Sequence, residues 1–271
     1  MTGCLSRGSG GSLAVGDSFR TAAGATVTVA DIRLRRTLFD MAFPDAVVLL
    51  APPESQFVLV TVSLDGRNAL VPDPSSFGLS IDGAGWTGST RLGGTNIDHR
   101  LSTPNDAVHR TPSGADERGD DLATVGFTVP VDVEPDQVSV AWERDGQTAR
   151  WIGDDGLADA LGSPPDFRVE AIDHPDAFAC DERFDVSVTV ANDGGRAGVF
   201  QAVFPAVEPI DEGHPDSFAE RIPSGESKTW TGSLEFPPHL HPDGCDDDVQ
   251  SATFELDWGL GTRAITLERR T

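Results

Sequence analysis

The segment Arg183–Arg196, RFDVSVTVANDGGR, constrains the chain more than any other stretch. Phe184, Val186, Val188 and Val190 alternate with Asp185, Ser187, Thr189 and Ala191, and Asn-Asp-Gly-Gly then ends the run. Side chains of a strand point to opposite faces at every step, so this spacing gathers one apolar row and describes a half-buried β-strand. A second sentence of the same grammar occurs at Gln56–Arg67, QFVLVTVSLDGR, with Val58, Val60, Val62 and Leu64 as its inner row. One central strand in each half predicts an all-β chain of two β-sandwich domains in tandem. The 271 residues are long for one sandwich and ample for two cores.

Short apolar runs between turn residues fill the rest, with almost no helical periodicity. In the first half the expected strands are Thr26–Ile32, Val47–Leu50, Gln56–Leu64, Phe77–Ile81, Gly85–Leu92, Leu122–Val129, Gln137–Trp142 and Gln147–Ile152. The second half offers seven: Phe167–Ile172, Phe184–Ala191, Gly198–Phe204, Phe218–Ile222, Ser227–Phe236, Val249–Trp258 and Thr262–Leu267. Asp154–Leu161, DDGLADAL, is the one expected helix, with acids at its positive end and Gly162 and Pro164-Pro165 after it. It reads as the joint between halves. The expected organisation is a tether at 1–12, a sandwich at 13–153, a helix and linker at 154–165, and a second sandwich at 166–271.

Charge speaks to habitat. The 44 acidic residues outnumber the 20 basic ones, for a formal charge of −24, and Lys228 is the only lysine. Such a balance resembles the proteins of halophilic archaea, in which dense carboxylates keep the surface hydrated in concentrated salt. Charges of this density repel in dilute buffer and are screened within about 3 Å at 1 M salt. Nucleic acid is excluded as a partner, because phosphate binding needs a basic footprint. The only basic cluster is Arg33, Arg35 and Arg36, and neutralising nearby carboxylates is its simplest use.

At the N-terminus, Thr2-Gly3-Cys4 followed by Gly/Ser-rich residues to Ser12 resembles the end of a prokaryotic lipoprotein signal. That resemblance implies lipidation of Cys4, export, and anchoring to the outer face of the cytoplasmic membrane. No charged or apolar region precedes Cys4 in the sequence, so either a start upstream of Met1 goes with the implication or the likeness is accidental and the segment is an ordinary disordered N-terminus. No apolar run approaches the 18 residues of a membrane span, which leaves the lipid as the only expected membrane contact. Setting Cys4 aside leaves Cys180 and Cys245 to pair. They precede the second and sixth strands of the second half, at one end of an up-and-down sandwich. Closing about 65 residues would contribute roughly 4 kcal/mol in the chain-entropy model. Free thiols or a metal site are the competing readings.

Two family resemblances bear on the halves. VGDSF (15–19), QFVLVTVSL (56–64), SSFGLSIDG (75–83) and TVGFTVPVDVEPDQVSVAW (124–142) resemble, over residues 13–152, an uncharacterised family of secreted lipoprotein domains. Those domains have an immunoglobulin-like sandwich and are similar to the mycobacterial immunogenic secreted sandwich protein; the resemblance implies no catalytic residue. FRVEAID (167–173), VSVTVANDGGRAG (186–198), Pro-Ser-Gly-Glu (223–226) and ATFELDW with RAITLE resemble, over 166–270, the cell-adhesion-related (CARDB-like) immunoglobulin-like domain of archaeal and bacterial surface proteins.

Four constellations bear on chemistry. Gly16-Asp17-Ser18-Phe19 matches the nucleophile block of GDS-type esterases, with Asp211-x-x-His214 as its acid and base, but that chemistry needs a strand-to-helix elbow on an α/β scaffold. His239, His241 and Asp243 beside Cys245 form a candidate transition-metal set, set against a plain surface loop. Gly93–Asp121 is a polar insertion whose His99, Arg100, His109 and Arg110 form a candidate binding loop, set against a segment without structure. Trp86, Trp142, Trp151, Trp230 and Trp258 are either core residues or platforms for sugar rings. The resulting expectation is a non-catalytic cell-surface lipoprotein, without cofactor, serving as a protein-binding, adhesion or scaffold module with a protein or cell-envelope partner. The alternative is an extracytoplasmic receptor for a glycan or metal ion.

Overall fold

A computed structural model of the chain describes residues 11–43, 46–52, 54–65, 73–89, 91–92, 95–96, 107–108, 122–179, 183–208, 216–235 and 250–270. They are overwhelmingly β-strand, and the chain is all-β. The residues group into two compact units, Met1–Leu38 with Leu50–Pro164 and Phe39–Leu49 with Pro165–Thr271.

The strands up to the helix are β1 (Ser12–Ala14), β2 (Ser18–Arg20), β3 (Thr26–Arg35), β4 (Leu38–Phe43), β5 (Ala46–Leu50), β6 (Ser55–Asp65), β7 (Phe77–Ile81) and β8 (Ala84–Thr87). They continue with β9 (Arg91–Leu92), β10 (Thr95–Asn96), β11 (Ala107–Val108), β12 (Leu122–Pro130), β13 (Val138–Arg144) and β14 (Gln147–Ile152). One sheet runs β1-β14-β13-β7-β8 and a second runs β12-β6-β3-β2. Both contribute to one core, in which Val27, Val29, Val58, Val60 and Val62 meet Leu79, Val140 and Trp151. Two hairpins turn on Asp82-Gly83 and Asp145-Gly146, all four residues at positive φ, as a two-residue loop between twisted strands requires. Asp82 also accepts from the Gln137 amide at 2.8 Å, which ties the β7–β8 turn to the start of β13.

Strand β6 departs from the half-buried expectation. Val58, Val60, Val62 and Leu64 face the main core, but Phe57 and Leu59 on the opposite face are buried as well. They form a smaller cluster with Leu38, Leu50 and Leu92, so β6 is apolar on both sides at its N-terminal end. The expected strand Gly85–Leu92 is two strands, and the expected structureless insertion contains β10 and β11 among its described residues. Helix α1 (Asp155–Gly162) is capped by Asp154, which accepts from the Leu157 amide at 2.8 Å. It is more than a joint. Ala158 and Leu161 join the core of the first unit, and the buried Gln56 donates to the Leu161 carbonyl at 2.9 Å.

The second unit continues with β15 (Phe167–Asp173), β16 (Ala177–Phe178), β17 (Arg183–Asn192), β18 (Gly198–Phe204), β19 (Ala206–Glu208), β20 (Asp216–Ile222), β21 (Ser227–Glu235), β22 (Ser251–Asp257) and β23 (Thr262–Arg269). Its sheets are β15-β17-β21 and β16-β23-β22-β18-β20, with β19 pairing β22. The inner row Phe184, Val186, Val188 and Val190 is buried as the alternation predicts, against Phe200, Ala202, Phe254, Leu256 and Leu267. Asn192 ends that strand and is fully buried. Its carbonyl accepts from the Asp166 and Gly194 amides, each at 3.1 Å, and its amide donates to the Arg196 and Ile222 carbonyls at 2.7 and 3.1 Å. One side chain thereby joins the start of β15, the end of β17 and the end of β20.

Replacing Asn192 by Ala removes the partner of four backbone groups, the bond to the Ile222 carbonyl buried and the others partly so, and is expected to lower the unfolding free energy by about 1–3 kcal/mol. Ser187→Ala on the outer face should change it by less than about 0.5 kcal/mol. Denaturant unfolding of both variants in concentrated salt measures the difference, and equal losses would show that Asn192 is not a structural hub.

Candidate functional site

In the first unit, a cleft of about 370 Å³ opens where β1, β14, β3 and the start of α1 meet. Its walls are aliphatic, from Val15, Ile32, Ile152 and Leu157, with the carboxylates of Asp31 and Asp154 at the lining. The position of Asp31 follows from a bulge: the register of β3 against β6 slips between Val29 and Asp31, which turns the strand locally. Both carboxylates are engaged. Asp31 lies 3.4 Å from the Arg33 Nε, and Asp154 holds the helix cap. The arrangement suits an aliphatic group carrying positive charge more than it suits acid–base chemistry, which needs a free carboxyl poised for proton transfer.

The esterase-like phrase dissolves into the sheet. Gly16 has φ 94° in the turn before β2, and Ser18 lies on β2, where its Oγ is 2.8 Å from the Thr28 Oγ1 of β3. Phe19 is buried against Trp142, ring centroids 5.9 Å apart. A serine within an antiparallel pair has neither the elbow nor the helix that activates a nucleophile of that class. Asp211 and His214 lie outside the described residues.

So do the other candidates: Cys4, the pair Cys180 and Cys245, the set His239, His241 and Asp243, and the loop residues His99, Arg100, His109 and Arg110. Among the described residues no three His, Cys, Asp or Glu side chains gather closely enough to hold a metal ion.

The tryptophans serve packing. Trp151 is fully buried and donates its Nε1–H to the Asp17 carbonyl at 2.8 Å. Trp142 is buried, and Trp86, Trp230 and Trp258 are half-buried against the cores. Trp230 stacks on Phe218 at 4.1 Å and an interplanar angle of 7°, with Phe204 at 6.2 Å. A ring so covered offers little face to a sugar. Gly232 makes the room: a Cβ there would collide with the Trp230 indole. Of the arginine cluster, Arg33 meets Asp31 as expected, while Arg35 and Arg36 donate to the carbonyls of Leu34 and Ser55 at 2.8 and 2.7 Å. Arg168 has its pKa raised by the hydrogen bond and charge of Asp193, with Glu170 adding to both.

No family model matches the chain, and no curated protein matches it. Among solved structures it is similar to the β-glucosidase from Listeria innocua in complex with glucose, at 16% identity and a TM-score of 0.31 over 40% of this chain. It is also similar to the β-glucosidase EmGH1 from Erythrobacter marinus, at 14% identity and a TM-score of 0.33 over 39% of this chain. A mutant of the Listeria enzyme with laminaribiose aligns over 65% of this chain at 14% identity and a TM-score of 0.31. The chain spans 16% of the first two enzymes and 21% of the third. Likeness at that level carries no argument about activity.

One carboxylate among the described residues is shifted by a specific local contact. Asp73 is held below the ordinary aspartate value by the Ser75 hydroxyl, then by the Ser75 amide, with Arg144 adding a smaller pull. Those donors favour the charged form, so their contribution is present above the unfolded-chain value and is lost as pH falls through the folded one. Ser75→Ala is expected to raise the Asp73 pKa toward the ordinary value without changing the fold. A carboxyl-carbon NMR titration reads the shift, and an unchanged midpoint would remove the hydroxyl as its main cause.

Proposed function

We propose that the protein is an extracytoplasmic lipoprotein of a halophilic archaeon whose two units are immunoglobulin-like sandwiches, acting without catalysis as a protein-binding, adhesion or scaffold module at the cell surface. The observation that carries this reading is that one sheet plan occurs twice. In each unit the last two strands form a hairpin (β13–β14, β22–β23) inside the larger sheet, a short parallel strand (β1, β16) flanks the last one, and an antiparallel sheet contributes to the same core. Immunoglobulin-type sandwiches keep their apolar side chains inside and present sheet faces, edges and end loops as working surfaces. The described residues are in keeping with that division of labour, since among them Leu260 is the only large apolar side chain left exposed.

A second reading, a receptor for a small ligand, is favoured by the cleft beside Asp31 and Asp154. Its lining points to a cationic aliphatic ligand rather than to a neutral sugar. Calorimetric titration with a series of alkyl amines and polyamines, in molar salt, separates this reading from the first. Saturable heat that is lost in Asp31→Asn favours the receptor, and its absence favours the module.

Lipidation is tested by expressing the complete gene in a halophilic host. Wild-type protein is expected in the membrane fraction, with a thioether-linked lipid on Cys4 seen by mass spectrometry, and Cys4→Ser is expected in the medium. Equal partition of the two would remove the anchor from the proposal. The purified protein is further expected to lose its fold, followed by circular dichroism, as molar potassium chloride is dialysed away, because unscreened repulsion among the carboxylates then opposes compaction.

A further inference from the structure

We infer that the short parallel strand β1 is a mechanical clamp: tension along the chain loads its backbone hydrogen bonds to β14 in shear, and β16 with β23 repeats the device in the second unit. The source of the tension rests on the cell-surface reading, which the partition of Cys4→Ser tests separately. The clamp itself does not depend on that result.

A strand of either direction would cover the edges of β14 and β23, yet both covers run parallel to the strand they flank. Every other pairing whose register is described is antiparallel. Direction has a consequence for force. The chain enters β1 at Ser12 and leaves β14 at Ile152, with Ser12 opposite Arg150 and Ala14 opposite Ile152. Entry and exit therefore lie at opposite ends of the pair. A pull on the two draws the strands past one another, and the evenly spaced bonds of a parallel ladder share the load. Were β1 antiparallel to β14, both points would lie at one end and the bonds would part singly.

Three residues can act as a clamp because they are fastened on every side. Leu13 is buried in the core of the first unit. The Asp17 carboxylate accepts from the Ala14 amide at 2.9 Å, and the Asp17 amide donates to the Ala14 carbonyl at 2.9 Å. Behind them, the Asp17 carbonyl accepts from the indole of Trp151, the β14 residue opposite Leu13, and the Gly16 amide donates to the Val29 carbonyl at 2.7 Å. The turn after β1 is thereby tied to β14 and to β3, so β1 cannot yield by drawing slack from its own turn.

In the second unit Ala177 stands opposite Glu268 and Phe178 opposite Arg269, next to the point where the chain leaves β23. The Glu268 amide donates to the Asp176 carbonyl at 3.1 Å and the Arg270 amide to the Phe178 carbonyl at 2.8 Å. Phe178 is buried in the core, as Leu13 is in the first unit. One apolar side chain pins each short strand, and one orientation is kept in both.

Force spectroscopy on the full chain in molar potassium chloride tests the clamp by changing only the direction of pull. Azide-bearing residues carry the handles, so the native cysteines are left as they are. Handles at the exposed positions Gly11 and Asp155 shear β1 against β14. Handles at Gly11 and Thr148, which is exposed near the start of β14, load the same bonds from one end. At one loading rate the first pair is expected to rupture at about twofold higher force or more, since forced opening is governed by the unfolding rate along the pulled direction. Equal rupture forces, or a lower one in shear, overturn the inference. Should the handle at Thr148 disturb folding, Glu143, its exposed opposite on β13, takes its place.

Discussion

Everything in each unit hangs on a strand that must satisfy two faces at once. In β17 the conditions are simple: valines and Phe184 go inward, and Ser187 and Thr189 go outward to meet hydroxyls on β21. The inner row supplies the burial that drives folding, at about 25 cal/mol for each Å² of apolar surface removed from water. The outer row supplies cross-strand contacts that hold the register. A slip of one residue would exchange the two rows and place valines in solvent, so the alternation also selects the pairing. In β6 the second condition is different. Phe57 and Leu59 are buried beneath a separate small cluster, and the strand is apolar on both sides where that cluster covers it.

The two units solve the same edge problem from different points of the chain. In each larger sheet the final strand, β14 or β23, would be left as an open edge, and a two- or three-residue parallel strand covers it. In the first unit that cover, β1, comes before the strands of the opposite sheet. In the second, β16 comes after β15 and before β17. The place is kept while its sequence origin changes, which makes the covered edge a geometric requirement of the plan. Aromatic residues do further closing work in the second unit, where Trp230, Phe218 and Phe204 stack as one block and Gly232 leaves the space the indole needs.

Long strands were legible in the sequence because period-two burial writes itself into residue choice over five or more positions. Phe77–Ile81 and Gln147–Ile152 coincide with the observed strands and alternate in burial along their length. Short parallel strands were not legible, since Ser12–Ala14 and Ala177–Phe178 are too brief to show a period and owe their conformation to the neighbour they pair with. Helix α1 was visible from its acids and stop signals, but its role was not, because Ala158 and Leu161 declare themselves as core only once a surface exists for them to cover. The cleft escaped notice for the same reason. Val15, Ile32, Ile152 and Leu157 are ordinary strand and helix residues until the β3 bulge and the helix cap bring them around one space.

The carboxylates have a part beyond hydration. Asp17 accepts from the Ala14 amide at 2.9 Å, Asp73 and Asp154 cap helical turns, Asp82 receives the Asp136 and Gln137 amides, and Asp257 receives Gly259 at 2.6 Å. Each occupies a turn or a cap, where unpaired N–H groups are concentrated and a short acceptor can reach them. Paired positions in the middle of a sheet favour the opposite choice. Directly opposed side chains there stand about 4.5–5.5 Å apart, a spacing at which hydroxyls attract at any salt and two carboxylates are at best screened to neutrality. Ser187 with Thr231, Thr189 with Thr229, and Thr253 with Thr266 follow that rule. In this acidic chain, these five carboxylates serve as acceptors at turns and caps, while opposed hydroxyls pair within the sheets.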